Sequence, residues 1–445
     1  MSVRLPAVLR VARALLGMCV LVGPGLLVGQ QTASPPSTSA DLGCRHPADP
    51  HRRRHYCNDA VFGLDETLAG GWNQVRRAAM HLGLTPTASY IGALQTNVTG
   101  GPHQVWPYAG LLSFAVSADL KELSGIKGLS VYVGASWGTG GNLSASLGSA
   151  IPTSGLYAPL FYLGEMYLQQ NFAGRKITIL AGRLSAANSF ASLPVFANYI
   201  TYGINPNPYS LGANDVTFFG PPTGTEWAVQ GAWDMTPSIQ VSAGAFNTNV
   251  PSANGENHGA DFTLQEGNKG VLAIGEIDYL RNQRDKSVGK PGQFTLGALH
   301  NSNSFPHLIN PLNVTQGYTG VYLMGQQMIF RPDGPQTTRG ASVWGAWSHN
   351  SKDTVSQFPQ FWGAGLSYQA LFPARKNDTL SFALIRAQSS KYVVPSATEQ
   401  FLELNYQWLH SRYLAVSPHG QYLWKAPGNS TRNATILGIQ VAITL

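Results

Sequence analysis

From Ile436 to Leu445 the side chains sort by parity. Leu437, Ile439, Val441, Ile443 and Leu445 are all aliphatic, whereas Ile436, Gly438, Gln440, Ala442 and Thr444 are mostly small or polar. Successive side chains of a β-strand project to opposite faces, so this segment offers one apolar face and one that tolerates water. A closing strand of this kind is expected in an outer-membrane β-barrel, with lipid outside and an aqueous lumen within. The competing architecture is a soluble β-sandwich.

Composition narrows the choice. Charged residues make up 11% of the chain, against roughly 25% in ordinary soluble domains. Past the amino-terminal region no apolar run reaches about 18 residues, so the spanning elements are not helices. The 49 glycines and 10% aromatic residues suit strands with one lipid face and one neutral polar face. The formal charge of +7 includes three arginines and no acid among the first 33 residues, leaving +4 beyond them. So modest a surplus gives no reason to invoke nucleic acid.

The amino terminus reads as a secretory signal. Arg4, Arg10 and Arg13 precede a short apolar core from Ala14 to Val28, and small residues near Gly29 or Ala33 suit cleavage. Residues 1–33 are therefore expected to leave the mature chain. Residues 34–84 hold a Ser/Pro/Thr-rich linker, a His- and Arg-rich loop bounded by Cys44 and Cys57, and a short helix near Glu66–Met80. In an oxidising periplasm the two cysteines are expected to pair. Closing that loop would contribute about 3 kcal/mol on the chain-entropy model. His46, His51 and His55 lie near the thiols, but the spacing is not that of a zinc site, and no metal is expected.

From Thr85 to Leu445 the pattern becomes one of short strands. Candidates fall near 85–95, 109–119, 129–138, 161–171, 175–183, 226–233, 237–247 and 271–281. Others follow near 293–300, 318–331, 340–349, 361–371, 379–387, 400–410, 412–424 and 434–445. The total of about 16 suits an even-numbered bacterial barrel. Long connections near 138–160, 184–225, 248–270 and 301–317 alternate with short ones at Phe172–Gly174, Asp234–Thr236 and 282–292. Long loops at one end and tight turns at the other are the barrel pattern, with both termini in the periplasm. Along 400–410, Leu402, Leu404, Tyr406 and Trp408 share one face and Glu403, Asn405 and Gln407 the other. A one-residue slip would put Glu403 into lipid, so Glu403 is assigned to the lumen. Glu276 and Asp278 are placed inward by the same reasoning, and Trp344, Trp347, Trp408 and Trp424 are candidates for interfacial girdles.

Several motifs resemble the carbohydrate-selective porins of the OprB type. Gly70-Gly71-Trp72-Asn73-Gln74-Val75-Arg76 is similar to that family's opening Gly-x-Trp-Gly-Gly-x-Arg run, with Asn73 and Gln74 in place of its paired glycines. His81-Leu82-Gly83-Leu84, Asn97-Val98-Thr99-Gly100-Gly101, Leu163–Gln170, Ala181-Gly182-Arg183 with Phe190, and the block from Pro418 to Gly438 continue the likeness. Leu445 stands where such barrels commonly end in Phe.

The resemblance implies a passive outer-membrane channel of a Gram-negative bacterium for monosaccharides such as glucose, without cofactor. Its implied partners are small carbohydrates, outer-membrane lipid and the barrel-assembly machinery. By motif match, Glu165 and Arg183 are the expected constriction residues, with Asn188, Phe190 and Trp227 as further lining. Arg183 shares its parity with Ile177, Ile179 and Ala181, so an inward position requires the strand end or a bulge. A sugar exchanges hydroxyl hydrogen bonds with a polar wall and lays its C–H faces on aromatic rings. The alternatives are a general or anion-preferring porin, a soluble sugar-binding sandwich, and an outer-membrane hydrolase. No H-E-x-x-H motif occurs, and an enzyme is not expected.

Envelope-derived protein, alkylated without reduction, is expected to show Cys44 and Cys57 joined, and their double replacement by Ser should leave the barrel folded. Two alkylated thiols would overturn the pairing.

Overall fold

The computed structural model describes residues 72–156, 161–215, 218, 224–248, 257–262, 270–283, 288–335, 337–393, 397–411, 413–425 and 432–444. The expected signal, the linker, Cys44, Cys57 and Leu445 lie outside them. After helix α1 (Trp72–His81) come β1 (Leu84–Thr99), β2 (Tyr108–Asp119), β3 (Leu129–Gly140), β4 (Phe161–Phe172), β5 (Ile177–Ser185), β6 (Thr225–Thr236), β7 (Ile239–Asn247) and β8 (Val271–Arg281). They are followed by β9 (Gly292–Pro306), β10 (Val314–Phe330), β11 (Gly340–Asn350), β12 (Gln360–Gln369), β13 (Thr379–Gln388), β14 (Glu399–Ser411), β15 (Leu414–Lys425) and β16 (Ala434–Thr444). Short helices α2 (Leu120–Ser124), α3 (Leu143–Leu147) and α4 (Tyr209–Asn214) lie in connections.

Each strand pairs antiparallel with the next, and β16 returns to β1 from Ser89↔Thr444 to Thr99↔Thr435. The 16-strand sheet therefore has no edge. Among the described residues no helix is long and apolar enough to cross a membrane.

Burial alternates in the sense that lipid demands. On β14, Glu403 is 1% exposed and Leu404 48%. Leu296, Val229, Ile277 and Leu437 are also exposed on the outer face. The exposed outer positions of the wall are largely apolar and its acids lie inside, the reverse of the surface of a water-soluble fold. Glu276 and Asp278 are buried on the inner face of β8, as their parity requires.

Two expectations are corrected. The segment 301–317 is largely strand: β9 and β10 stay paired out to Pro306↔Val314, with a register shift between Gln316 and Tyr318. Its Asn/Ser-rich sequence loses apolar alternation, but backbone ladder bonds do not need it. Trp344 is not an interfacial residue. It sits 4% exposed on the inner face, opposite inward-facing Gln326 and Gly365. Trp347 and Trp408 are exposed outside.

Connections at one end are mostly short, such as 173–176, 237–238 and 412–413. In the first turn at that end Asp119 caps α2 by accepting from Lys121 N at 2.9 Å, and Gly125 closes it at φ 78°. The opposite end carries the longest connections, 141–160, 186–224 and 248–270.

The register makes a direct prediction. Leu404→Arg places a cation in lipid at about 2–4 kcal/mol near the midplane, whereas Gln407→Arg faces the lumen opposite Thr379. Heat-modifiable migration of membrane-extracted protein should show far less folded Leu404→Arg than Gln407→Arg. Equal yields would contradict this register.

Candidate functional site: the barrel lumen

The long β5–β6 connection turns into the barrel. From Ala186 to Asp215 it runs through two 3-10 turns, Ala186–Asn188 and Pro194–Asn198, and then α4. Its apolar side chains Leu193, Phe196, Tyr199, Ile204 and Leu211 join a cluster with Trp344, Phe361 and Ile385 from the inner wall. Phe196 and Tyr199 meet the Trp344 ring edge-on at 5.2 and 5.5 Å. A side chain at Gly365 would begin 2.5 Å from the indole nitrogen, so this glycine is what admits Trp344. Trp344 Nε1 donates to Tyr199 Oη at 2.7 Å, and Tyr199 Oη donates to Phe382 O at 3.0 Å. Burial, reinforced by the nearby Glu403 carboxylate, pushes the Tyr199 phenol well above its ordinary range, so the hydroxyl stays a donor.

A folded-in loop brings its own backbone N–H groups away from water, and each needs an acceptor. Wall carboxylates and amides supply several. Glu165 accepts from Ser185 N at 2.9 Å and from the Asn188 side chain. Glu276 accepts from Ala191 N at 2.7 Å and Tyr322 Oη at 3.0 Å. Gln326 Oε1 accepts from Val195 N at 3.0 Å. Glu403 takes Ile200 N and Thr201 N, both at 2.8 Å, one on each oxygen. At the far end the loop's own Asp215 accepts from Asn301 Nδ2 at 2.7 Å and Tyr318 Oη at 2.8 Å. Hydrogen bonds to charged groups contribute about 1.5–3 kcal/mol each, so together these bonds hold the loop firmly.

The β3–β4 connection enters beside it. Glu399 accepts from Ile151 N and Ser149 Oγ, both at 2.9 Å. Lys425 Nζ donates to Gly148 O at 3.0 Å, where α3 ends. Thr153 O accepts from Gln421 Nε2 at 2.9 Å. The two loops join where Thr201 Oγ1 donates to Pro152 O at 3.0 Å.

These loops cover the lumen unevenly. Besides β7 to β15 they bury Ile91, Ala93, Ala109 and Leu111 of β1 and β2, on which Leu156 of the β3–β4 connection packs. They leave the other half of β1 to β4 less covered. The inner positions of β7 to β15 are mostly buried, whereas Thr85, Thr87, Ser89, Ser113, Ser117, Tyr132, Ser136 and Gln169 on β1 to β4 are only half-buried. The uncovered wall is hydroxyl- and amide-bearing and carries no formal charge at these positions.

The residues expected from sequence divide between the two faces. Glu165 and Asn188 are brought together at the start of the infolded loop. Phe190 is 1% exposed inside, edge-on to Phe246 at 6.1 Å. Glu403 faces inward, as its parity requires, and grips the loop. Arg183 and Trp227 are on the outer face. The register runs without a shift through the pairs Met166↔Arg183 and Arg183↔Trp227, so the bulge needed to turn Arg183 inward is absent. Arg183 instead donates to Thr225 Oγ1 at 3.0 Å and to Gly259 O, and lies over the Phe262 ring at 5.7 Å. Trp227 Nε1 donates to Phe262 O at 3.1 Å. Segment 257–262 thus crosses the outside of the wall and buries Arg183 to 2% exposure. Glu399, Gln326, Trp344 and Tyr199 were not legible as site residues, because their partners lie far away in irregular chain without periodicity.

The model of the carbohydrate-selective porin family, OprB, matches residues 106–445. Among solved structures, the high-pH structure of Pseudomonas putida OprB superposes with a TM-score of 0.75 at 19% identity, over 86% of this chain and 100% of that one. Its low-pH structure gives 0.56 at 17%, over 85% and 98%. Salmonella typhi OmpF in complex with daunomycin gives 0.52 at 9%, over 81% and 97%. No curated protein sequence matches the chain. Membership of this family implies a channel rather than an enzyme. With a closed barrel, a lipid-type outer face and a family match over most of its length, the chain belongs to the OprB family of carbohydrate-selective porins and is a carbohydrate porin of the Gram-negative outer membrane.

Proposed function

We propose that the channel passes neutral monosaccharides such as glucose by passive diffusion, along the half-open wall of β1 to β4 and past the pinned β5–β6 loop, with no catalytic step. The observation that carries this reading is the distribution of charge. Lumenal carboxylates Glu276, Glu399 and Glu403 are engaged with loop N–H and hydroxyl donors and Glu165 with Ser185 N and the Asn188 side chain, while the less covered part of the wall presents neutral hydroxyls and amides. Neutral groups exchange hydrogen bonds with a sugar without holding it too tightly to leave. The anion-preferring alternative needs lumenal cations. Among the described residues Lys425 is the one lysine or arginine at an inward strand position, and it is occupied by α3 carbonyls.

Glu165, Asn188, Phe190 and Glu403 act in this reading by holding the loop that narrows the passage, rather than as sugar ligands. Residues 1–33 serve as the export signal and residues 34–84 as a periplasmic segment with a Cys44–Cys57 bridge. The assembly machinery inserts residues 85–445, with lipid around the outer face.

Liposome swelling distinguishes the readings. Glucose is expected to enter several-fold faster than gluconate, which has nearly the same size and a negative charge. Equal rates would favour a general pore, and faster gluconate an anion channel.

The loop clamp is tested separately. Glu403→Ala leaves Ile200 N and Thr201 N without their acceptor, at about 1–3 kcal/mol for each buried group. In planar bilayers the variant should give a larger and noisier single-channel current from a barrel that still shows heat-modifiable migration. Glu403→Gln, which keeps one acceptor oxygen, should fall between it and the parent. Unchanged current and noise in Glu403→Ala would remove the loop from the conduction path.

A further inference from the structure

Strand β13 carries a cation on its outer face. Ile385 and Ala387 are buried inside, which turns Arg386 and Gln388 outward. Arg386 is directly opposite Trp362 on β12 and Gln400 on β14, and Gln400 is opposite Trp424 on β15. One outward step nearer the loops, Gln360 is opposite Gln388. Among the described residues, the side chains of Arg386, Gln360, Gln388 and Gln400 have no hydrogen-bond or ion-pair partner. On β12 to β15 no acid shares their face, since Glu399 and Glu403 point into the lumen.

The level of this row follows from what lies on either side of it. One outward step toward the middle of the wall are Ala364, Leu384, Leu402 and Tyr422, and the next step brings Leu366, Phe382 and Leu404. On the other side come the connections 351–359 and 389–398, at the end of the barrel that carries the long loops. Trp347 is opposite Trp362, and both are exposed. Indoles collect where hydrocarbon gives way to headgroups, so Arg386 is at the headgroup level of the outer leaflet.

Cations at the other end of the barrel find their counter-charges within the chain. The ion pairs Lys121–Glu122, Arg339–Asp333 and Arg375–Asp378 all lie there. Arg375 Nε is 2.7 Å from Asp378, and its guanidinium lies over the Trp408 ring at 5.4 Å. Arg386 likewise neighbours an indole, Trp362, but no acid accompanies it. A guanidinium matches phosphate with two parallel N–H donors, and the surrounding amides offer more.

We propose that Arg386, with Gln360, Gln388 and Gln400 around it, binds the phosphate of a phosphorylated glycolipid of the outer leaflet, whose acyl chains lie along Leu384, Leu402 and Phe382. The membrane thereby supplies the counter-charge that the chain does not. The site is on the outside of the wall and is independent of what the lumen carries.

The experiment uses native mass spectrometry of the full-length protein in detergent, titrated with lipid A and with its dephosphorylated form. The parent should take up lipid A at several-fold lower concentration than the dephosphorylated lipid. Arg386→Gln, which removes the charge and keeps donors, should bring the two within about twofold, while Arg386→Lys should keep most of the preference. Millimolar sodium phosphate should leave lipid A bound. Heat-modifiable migration confirms that each variant is a folded barrel. Equal uptake of the two lipids by the parent would overturn the site, whatever the variants do. So would an unchanged preference in Arg386→Gln, and displacement of lipid A by sodium phosphate would assign the arginine to a free anion instead of a lipid.

Discussion

Hydrocarbon offers a peptide group no hydrogen-bond partner, so the edge of an open sheet in lipid would expose its N–H and C=O groups at several kcal/mol each. Every other feature of this molecule follows from removing that edge. The pairing of β1 with β16 closes the ladder, and closure sets the two faces. Apolar residues such as Leu296, Leu404 and Leu437 turn outward, which leaves the inner positions free to be polar. Because the side chains of the inner face do not fill the barrel by themselves, loops enter it, pack on its apolar residues and narrow it.

Entry raises the same demand for partners inside the barrel. A loop such as 186–215 has irregular backbone and cannot satisfy its own N–H groups as a helix does. A carboxylate buried without donors would be equally unfavourable. The two needs meet in Glu276, Glu399 and Glu403, each of which accepts at least one backbone N–H from an infolded loop, and in Glu165, which takes Ser185 N at the end of β5 and the Asn188 side chain. The acids therefore hold the loops, and the less covered part of the wall is left to hydroxyls and amides. In the proposed reading, selectivity for neutral sugars follows from where the negative charge has been used.

Parity was a sound guide wherever a strand crosses lipid. Glu403 and the pair Glu276 and Asp278 are inside, and the strands lie where alternation marked them, except that β9 and β10 run on through 301–306 and 314–317. It also carried the warning about Arg183, whose parity pointed outward. The motif match pointed inward, and the regular β4–β5 and β5–β6 registers settle the matter in favour of parity. The guanidinium is tolerated there because segment 257–262, distant in sequence, folds over it. Trp344 shows the converse: an aromatic residue near a strand centre reads equally well as girdle or lumen until its neighbours are known.

The amino-acid sequence by itself determined the closed antiparallel barrel, the positions of its strands, which face of each meets lipid, and the family. These depend on short-range alternation and on a solvent that penalises every error of register. Only the tertiary structure decided which lumenal acids hold which loop, which part of the wall stays uncovered, and that Arg183 and Trp227 lie outside. Those outcomes depend on contacts between residues far apart in the chain, such as Glu403 with Ile200 and Thr201. No local periodicity encodes such pairs, because irregular loops satisfy their backbone with whatever acceptor closure of the barrel brings near.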